Sequence, residues 1–326
     1  MRALLCKEHG LPDKLELATD VAEPIAEAGQ VIIDVKAAGL NFPDVLIIQG
    51  KYQFQPDMPF SPGGECAGVV LSVGEGVDRY KPGDKVIAMT GSGCFRDQIA
   101  ADQNAVMPMP EGLDFKQAAG VAMTYFTSYH ALKQRADLKE GETLLVLGAA
   151  GGVGSTAVEL GKLMGARVIA AASSEEKLAM CRELGADETI NYSEQDLKTA
   201  IKELTGGKGV DVIYDPVGGD YAEPALRGMA WNGRYLVIGF ASGPIPEVPL
   251  NLALLKGCSI VGVFWGHFIA EEPKVHLQNI QELWGLFAEG KLKPAINDVF
   301  PLEDYEKAYD VMMGRKARGK VILTME

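Results

Sequence analysis

Thr143-Leu144-Leu145-Val146-Leu147-Gly148-Ala149-Ala150-Gly151-Gly152-Val153-Gly154 joins an apolar run to a glycine-rich turn. Residues 155–165 follow with apolar side chains at helical spacing. A strand, a tight glycine turn and a helix together direct unpaired backbone N–H groups and the positive end of a helix dipole at a phosphate. Glycine alone is weak support, because many strand–helix turns need it for steric reasons. The stretch predicts a nucleotide-binding unit if the sequence around it agrees.

The second predicted strand, Arg167–Ala172, ends without the acidic residue that usually binds the ribose hydroxyls of NAD. Ser173, Ser174 and Lys177 follow it instead. Hydroxyl groups and an ammonium group bind a 2′-phosphate, whereas a carboxylate repels it. These residues therefore favour NADPH over NADH. In the alternative interpretation, Ser173 or Ser174 only caps the next helix and Lys177 is a solvated lysine.

Length and composition are those of a globular enzyme. The 326 residues suit about two domains, and 47% of them are hydrophobic. The net charge of −13 argues against nucleic acid or an anionic membrane as the main partner. Five cysteines without a C-x-x-C pair predict a reducing, cytoplasmic environment without disulfides. We see no signal-peptide pattern and no apolar run close to the roughly 20 residues of a membrane span.

The hydrophobic pattern changes along the chain. Up to about residue 110, short apolar runs alternate with glycine-rich turns, which predicts a small β-barrel or sandwich. From residue 143, strands and helices alternate, which predicts an α/β domain with a doubly wound parallel sheet of six strands. The predicted strands are 143–148, 167–172, 187–191, 210–215, 234–239 and 259–264, and the helices are 153–165, 175–185, 194–205, 221–231 and 275–290. The tail returns to strand at 299–301 and 320–323.

Further motifs with fixed spacing lie in both halves of the chain. They include Ala38-Gly39-Leu40-Asn41-Phe42-Pro43-Asp44, Gly63-Gly64-Glu65-Cys66-Ala67-Gly68, Lys81-Pro82-Gly83-Asp84-Lys85-Val86 and Tyr214-Asp215-Pro216-Val217-Gly218-Gly219. In these residues and in the glycine turn, the chain resembles the quinone oxidoreductase (zeta-crystallin-like) family of zinc-independent medium-chain dehydrogenases/reductases. The family usually has Gln where this chain has Glu159.

The resemblance implies a fold and an assembly. A GroES-like β-barrel catalytic domain would comprise residues 1–123 and 267–326. A Rossmann domain that binds NADPH, with the six-stranded parallel sheet, would comprise residues 124–266. Members of the family are commonly homodimers. The apolar sixth strand would be an exposed edge in a monomer, and pairing with its copy would satisfy its backbone groups.

The resemblance also argues against a metal site. The zinc-dependent relatives place Cys where this chain has Asn41, and Gly-His-Glu where it has Gly63-Gly64-Glu65. They also carry four closely spaced cysteines in the region where Cys94 stands alone. The four histidines are far apart in the sequence, whereas catalytic zinc usually needs three protein ligands. We therefore expect no metal.

Without a metal to polarise an alcohol or aldehyde, an electron-poor acceptor is favoured for the hydride. By resemblance, Asn41 and Tyr52 face the acceptor and donate hydrogen bonds to it, and Thr127 lies on the nicotinamide side. The family often has a second aromatic residue where this chain has Leu46. In the alternative interpretation, Asn41 is a turn residue and Tyr52 is a half-buried aromatic whose hydroxyl meets water.

The remaining expected cofactor contacts carry over by position from the resemblance. Most follow the carboxyl ends of strands, whereas Arg318, close to the terminal strand, would reach the cofactor across the cleft. The expected contacts are Ala150, Gly151, Gly152, Val153, Tyr192, Phe240, Phe264, Trp265 and Arg318. For Tyr192 the alternative is plain strand packing, and for Arg318 it is a surface cation.

The function that these observations favour is hydride transfer from NADPH to a quinone-type small molecule. Reduction of an alkenal, an enone or an acryloyl thioester uses the same hydride donor and the same metal-free residues, so the sequence barely separates the two reactions. A non-catalytic NADPH-binding protein is a second alternative.

Overall fold

The computed structural model describes residues 1–325. The chain forms two compact units, Met1–Met123 with Leu286–Glu326, and Thr124–Gly285. The sequence analysis placed domain boundaries after residues 123 and 266. Between the two compact units, the second boundary lies after residue 285. None of the helices in residues 1–325 has both the length and the hydropathy needed to cross a membrane.

The amino-terminal part has the predicted alternation of short strands and turns. Its elements are β1 (Ala3–Cys6), β2 (Leu15–Ala18), β3 (Gln30–Leu40), α1 (Phe42–Ile48), β4 (Glu65–Val73), β5 (Lys85–Met89), β6 (Gln98–Asp102), β7 (Val106–Pro108), α2 (Phe115–Ala118) and α3 (Ala122–His130). A π-helical turn, Ala131–Arg135, continues α3.

The middle of the chain alternates strands and helices. Its elements are β8 (Thr143–Leu147), α4 (Gly152–Leu163), β9 (Arg167–Ala172), α5 (Glu175–Glu183), β10 (Glu188–Asn191), α6 (Leu197–Leu204), β11 (Val210–Asp215), α7 (Ala222–Arg227), β12 (Met229–Val237), α8 (Asn251–Lys256), β13 (Ser259–Gly262), α9 (Trp265–Glu271) and α10 (Pro273–Ala288). The carboxyl-terminal part adds β14 (Ile296–Pro301), α11 (Tyr305–Met313) and β15 (Lys320–Thr324).

The second unit is built on a parallel sheet of six strands in the order β10-β9-β8-β11-β12-β13. In its centre Leu145 pairs with Ile169 on one side and with Ile213 on the other, and all three side chains are fully buried. Helices cover both faces of such a sheet, so its strands are continuous apolar runs. The predicted doubly wound fold is therefore confirmed, including the strand reversal between β8 and β11.

The fifth strand begins earlier than predicted. The sequence analysis assigned 221–231 to a helix, but α7 ends at Arg227 and β12 already begins at Met229. Gly228 ends the helix, and Asn232 has a left-handed φ of 61° within the strand. The register between β11 and β12 also shifts at this point. This irregularity hides the strand from a search for regular alternation.

The end of the sheet differs from the prediction in a second way. β13 ends at Gly262, two residues before the predicted end, and α9 begins at Trp265. Phe126 of α3 packs against Trp265 and Trp284, with ring centroids 5.9 and 5.5 Å apart. These contacts explain why residues 267–285 belong to the second compact unit.

The first unit contains a sheet in the order β14-β15-β3-β4-β5-β7, and β6 pairs with the amino-terminal half of β3. β15 runs antiparallel to β3, with Val321 opposite Leu40 and Thr324 opposite Ala37. The carboxyl-terminal strand is therefore part of the core sheet. Its first residue, Lys320, lies beside the end of β3, where the segment with the expected acceptor residues begins.

Candidate active site

The turn after β8 has no room for a side chain at Gly148 or at Gly154. Gly148 has a left-handed φ of 56°. A Cβ atom on Gly154 would lie 2.2 Å from the Gly148 carbonyl oxygen, far inside contact distance. The first N–H groups of α4 have no partner within the helix, as at every helix amino terminus. The four residues expected here, Ala150, Gly151, Gly152 and Val153, form this turn, which fits a dinucleotide phosphate.

Three buried hydroxyl groups support the turn from below. The Ser128 hydroxyl donates to the Val153 carbonyl at 3.0 Å and lies 2.8 Å from both Thr156 Oγ1 and Tyr214 OH. This network ties α3, α4 and β11 together beneath the expected phosphate site. The sequence analysis missed it, because the three residues lie far apart in the chain and only the sheet order brings them together.

Glu159, where the chain departs from the family pattern, accepts a hydrogen bond from α3. The Tyr125 phenol of α3 donates to Glu159 Oε2 at 2.6 Å. Burial and this carboxylate raise the pKa of Tyr125, so its phenol remains a donor. Glu159 therefore serves the packing of α3 on α4.

Ser173 and Ser174 follow β9 directly, and two exposed acidic residues, Glu175 and Glu176, precede Lys177. Lys177 Nζ donates to Ser173 Oγ at 3.2 Å. The Ser174 side chain accepts from the Lys177 backbone N–H and caps α5, as the alternative interpretation expected. Glu175 pairs with Arg182 and is exposed. An ammonium group and an exposed hydroxyl group therefore remain at the position where NAD-binding proteins usually place an acid.

The segment after β12 lies beside the end of β11. Ala241 N donates to the Pro216 carbonyl at 3.0 Å, and a Cβ on Gly218 would lie 2.9 Å from the Phe240 ring. The Ser242 hydroxyl is buried and has no hydrogen-bond partner within residues 1–325. An unsatisfied hydroxyl group at the carboxyl end of a doubly wound sheet suits a ligand contact. Phe240 and Ser242 therefore both lie at this end of the sheet.

The other expected cofactor residues of the second unit divide into inner and outer positions. Tyr192 packs against Tyr221, with ring centroids 4.4 Å apart, as expected for a packing role. Phe264 is 58% exposed, whereas Trp265 is 6% exposed and turns into the aromatic cluster of α3 and α10. Trp265 is therefore placed as a core residue. Thr127 is half-buried on α3, next to Ser128.

The remaining expected cofactor residue, Arg318, belongs to the first unit. Its backbone N–H donates to Asp298 Oδ2 at 3.1 Å. This bond fixes the backbone just before β15.

In the first unit, Asn41 is buried and its amide group is already engaged. Asn41 Nδ2 donates to Glu65 Oε1 at 2.9 Å and to the Gly39 carbonyl at 3.3 Å. Its Oδ1 accepts from Lys320 Nζ. The sequence predicted that Asn41 donates a hydrogen bond to the acceptor. In the structure both donor contacts of its amide are made within the protein, and only the longer one, to the Gly39 carbonyl, could be replaced by a contact with the acceptor. Neither Glu65 nor Lys320 was among the expected site residues.

Tyr52 keeps its hydroxyl available. Its ring packs partly buried on the core of the first unit. Burial and the nearby Asp44 carboxylate raise the pKa of the Tyr52 phenol, so it stays protonated at neutral pH. Within residues 1–325 the hydroxyl makes no hydrogen bond. The Tyr52 hydroxyl can therefore donate to a ligand.

Asp44 lies in the first turn of α1 and is buried. Its Oδ2 accepts from Asn41 N at 2.8 Å. Burial raises its pKa to about 7, against the lowering effect of that N–H group and of Lys320. Between the ordinary pKa of about 4 and about 7, the folded protein therefore holds a proton that the unfolded chain lacks.

This difference predicts how Asp44→Asn changes stability. The wild type therefore loses stability as the pH rises through that window, whereas the asparagine does not titrate. The free energy of unfolding of the variant, relative to that of the wild type, should increase by roughly 2 kcal/mol between pH 5 and pH 8. Urea unfolding at several pH values measures the difference in free energy of unfolding. Asp57→Asn, an exposed aspartate of the same segment, is the control. A pH-independent difference for Asp44→Asn would contradict the prediction.

The donor set of the first unit does not fit zinc. Within residues 1–325, no group of three or more His, Cys, Asp or Glu side chains is placed to hold a metal ion. The position between Asn41 and Glu65 is taken by the ammonium group of Lys320, which repels a metal cation.

Comparisons with known proteins agree with this architecture. Two family models match, the alcohol dehydrogenase GroES-like domain over residues 27–111 and the zinc-binding dehydrogenase over residues 152–282. The quinone oxidoreductase-like protein 2 homolog of Nematostella vectensis is 39% identical over 325 residues, which cover 99% of this chain and 88% of that protein.

Two solved structures are also similar over the whole chain. The Escherichia coli quinone oxidoreductase complexed with NADPH has a TM-score of 0.92 at 30% identity, and the match covers 99% of this chain and 100% of that one. The CurF ER cyclopropanase from the curacin A biosynthetic pathway has a TM-score of 0.89 at 27% identity, covering 100% and 99%.

These matches confirm the GroES-like domain that the sequence analysis expected in addition to the Rossmann sheet. They extend over almost the whole chain. The chain therefore belongs to the quinone oxidoreductase family of the zinc-independent medium-chain dehydrogenases/reductases, a family of oxidoreductases.

Proposed function

We propose that this chain transfers a hydride from NADPH to a quinone-type acceptor. The observation that carries the cofactor choice is the end of β9, where Lys177 Nζ donates to Ser173 Oγ and no acid takes the usual ribose position. The Escherichia coli relative was solved with NADPH, which supports the same choice. When bound, NADPH supplies the hydride, and the protein binds and orients it.

Different residues of the second unit then bind different parts of the cofactor. The amino terminus of α4 binds the pyrophosphate through its unpaired N–H groups and its dipole. Lys177 and Ser173 bind the 2′-phosphate by charge-assisted hydrogen bonds. Phe240 and the Ser242 hydroxyl adjoin the carboxyl end of the sheet, where nicotinamide cofactors bind in such folds. Thr127 remains our candidate for the nicotinamide side.

The acceptor side needs only a neutral donor. Hydride addition to a quinone or to an enone places negative charge on a carbonyl oxygen, and a positioned hydrogen-bond donor stabilises that charge. Tyr52 has a protonated hydroxyl group without a protein partner, and it is our main candidate. Asn41 contributes through the weaker of its donor contacts or through the shape that it gives to the segment.

We therefore expect Tyr52→Phe to lower kcat by about 10- to 100-fold, with the Kd for NADPH unchanged. The experiment follows NADPH absorbance with quinones, enals, enones and acryloyl thioesters. Tyr80→Phe is the control, because its hydroxyl donates to the Val106 carbonyl inside the core of the same unit. Unchanged turnover of Tyr52→Phe with every acceptor would remove Tyr52 from the mechanism.

The same screen separates the alternatives. The CurF relative is a cyclopropanase, so this fold also serves chemistry other than quinone reduction. Turnover of enals, enones or acryloyl thioesters to saturated products, without quinone turnover, would identify an alkene reductase. Tight NADPH binding without turnover of any acceptor would favour a binding protein.

We also propose that the chain forms a homodimer through β13. Within residues 1–325, β13 pairs only with β12, and Ile260 on it is 41% exposed. Nearby Leu254 and Leu255 of α8 are also exposed. An apolar edge strand of this kind is normally covered.

For this dimer, Ile260→Lys should shift the light-scattering mass from dimer to monomer. Leu71→Lys, at a similarly exposed apolar residue on β4, is the control and should leave the mass unchanged. A monomeric wild type, or a dimer that Ile260→Lys does not weaken, would contradict the proposal.

A further inference from the structure

Three polar side chains meet in the interior of the first unit. Lys320 is 4% exposed, Glu65 is 0% exposed and Asn41 is 6% exposed. They come from β15, from β4 and from the residue that precedes α1. A buried ion pair contributes little to stability when its desolvation is counted, so its presence calls for another explanation.

The three groups form a closed ring of hydrogen bonds. Lys320 Nζ donates to Asn41 Oδ1 and to Glu65 Oε1, both at 2.5 Å. Asn41 Nδ2 donates to the same Glu65 oxygen at 2.9 Å. The other oxygen, Glu65 Oε2, accepts from Met123 N at 2.9 Å. The ring therefore determines which end of the Asn41 amide faces which neighbour.

The surrounding backbone makes room for the lysine. A Cβ on Gly39 would lie 2.8 Å from Lys320 Cε, and a Cβ on Gly120 would lie 2.9 Å from Lys320 Cγ. The antiparallel register, with Val321 opposite Leu40, brings Lys320 next to Asn41 across the strand pair. Gly39 and Gly120 thus leave the space that the Lys320 side chain occupies, and the pairing of β15 with β3 places the side chain in that space.

We propose that Lys320, paired with Glu65, is a positioning residue that holds the Asn41 amide and the entry to α1 in one orientation. The ammonium holds Asn41 Oδ1, so the amide nitrogen faces Glu65 and Gly39. Without the ammonium, nothing holds Asn41 Oδ1, and Glu65 can accept a hydrogen bond from the Asn41 amide in more than one orientation. The residues on the acceptor side that follow Asn41 then lose their fixed geometry. This inference rests on the proposed function, because it assigns the ring to the acceptor side.

The variants separate positioning from folding. Lys320→Met alone leaves Glu65 as a buried unpaired charge and is expected to destabilise the fold strongly. The double variant Lys320→Met/Glu65→Gln removes both charges at similar volume and is expected to restore the melting temperature. Lys320→Arg keeps the charge. Lys36→Met/Asp34→Asn makes the same double change at an exposed ion pair on β3 and is the matched control.

In the double variant we expect a Kd for NADPH within about twofold of the wild type and a kcat lower by about 10- to 100-fold. Adding Asn41→Ala to the double variant should cost less than about twofold more, because effects within one network are not additive. A double variant that folds like the wild type and also turns over like it would overturn the proposal.

A second readout needs no acceptor. The side-chain NH₂ signals of Asn41, identified as the pair that disappears in Asn41→Ala, should exchange with solvent at least about tenfold faster in the double variant, because the ring no longer protects them. Lys320→Arg should keep them largely protected. Equal exchange in the wild type and the double variant would refute positioning by Lys320. If the wild type instead turns over no acceptor while exchange still changes, the proposed function fails and the ring stands.

Discussion

Gly154→Ala is expected to lower the affinity for NADPH by at least about 100-fold, the cost of misplacing a binding group by about 1 Å. The new Cβ would lie 2.2 Å from the Gly148 carbonyl oxygen and 2.9 Å from Ala149 Cα. Both obstacles are backbone, so relief requires the turn itself to move away from α4. The same overpacking should cost about 1–3 kcal/mol of stability. Isothermal titration with NADPH and thermal unfolding measure the two effects.

Two further alanine variants control this result. Gly285→Ala lies in α10 with nothing within 4 Å of the added Cβ, so it should leave NADPH binding unchanged. It should stabilise the helix by up to about 1 kcal/mol. At Gly151 the added Cβ would lie 3.3 Å from the Gly148 oxygen, so the loss of affinity should be intermediate. Equal NADPH affinity in the Gly154, Gly151 and Gly285 variants would show that the turn does not bind the cofactor.

The parallel sheet could be predicted because the apolar sequence of each strand reflects the burial of that strand. After Arg167, the strand residues Val168–Ala172 are apolar and buried, and the following helix begins at a serine cap. Local pattern and tertiary structure therefore agree there. The two disagree at Met229–Val237, where Asn232 adopts a left-handed conformation in the middle of a strand.

The ring around Asn41 could not be predicted from local pattern. Lys320 is separated from Asn41 by 279 residues and from Glu65 by 255. Only the antiparallel pairing of β15 with β3 brings them together, and register is not visible in a single sequence. The motif around Asn41 therefore indicated a site. The side chain that holds the Asn41 amide, Lys320, begins the otherwise apolar strand β15.

Trp265 is packed differently from its neighbour Phe264, and its Nε1 is buried without a hydrogen-bond partner within residues 1–325. Its position after the sixth strand indicated a cofactor contact, because ligands bind at the carboxyl ends of such sheets. The first turn of α9 instead rotates its ring into the cluster with Phe126 and His276, whereas Phe264 stays exposed. Adjacent residues at a strand end face different environments, and only the path of the chain after Gly262 decides between them.

Lys177→Asp is expected to reverse the preference between the two cofactors. The variant replaces an ammonium group that lies 3.2 Å from Ser173 Oγ with a carboxylate, which would repel the 2′-phosphate. Exchanging attraction for repulsion at a partly exposed site should weaken NADPH by about 100-fold. NADH carries a neutral hydroxyl group there, so its Kd should change by no more than about threefold, through the general field alone. Fluorescence titration at fixed ionic strength measures both constants.

The control separates local charge from net charge. Lys202→Asp makes the same reversal at an exposed residue of α6, and it should change neither cofactor's affinity. Raising the salt concentration should reduce the loss of NADPH affinity in Lys177→Asp, because screening weakens repulsion between exposed charges. If Lys177→Asp weakens NADPH and NADH equally, the lysine only supports the cap of α5. The absence of an acid after β9 would then no longer argue for NADPH.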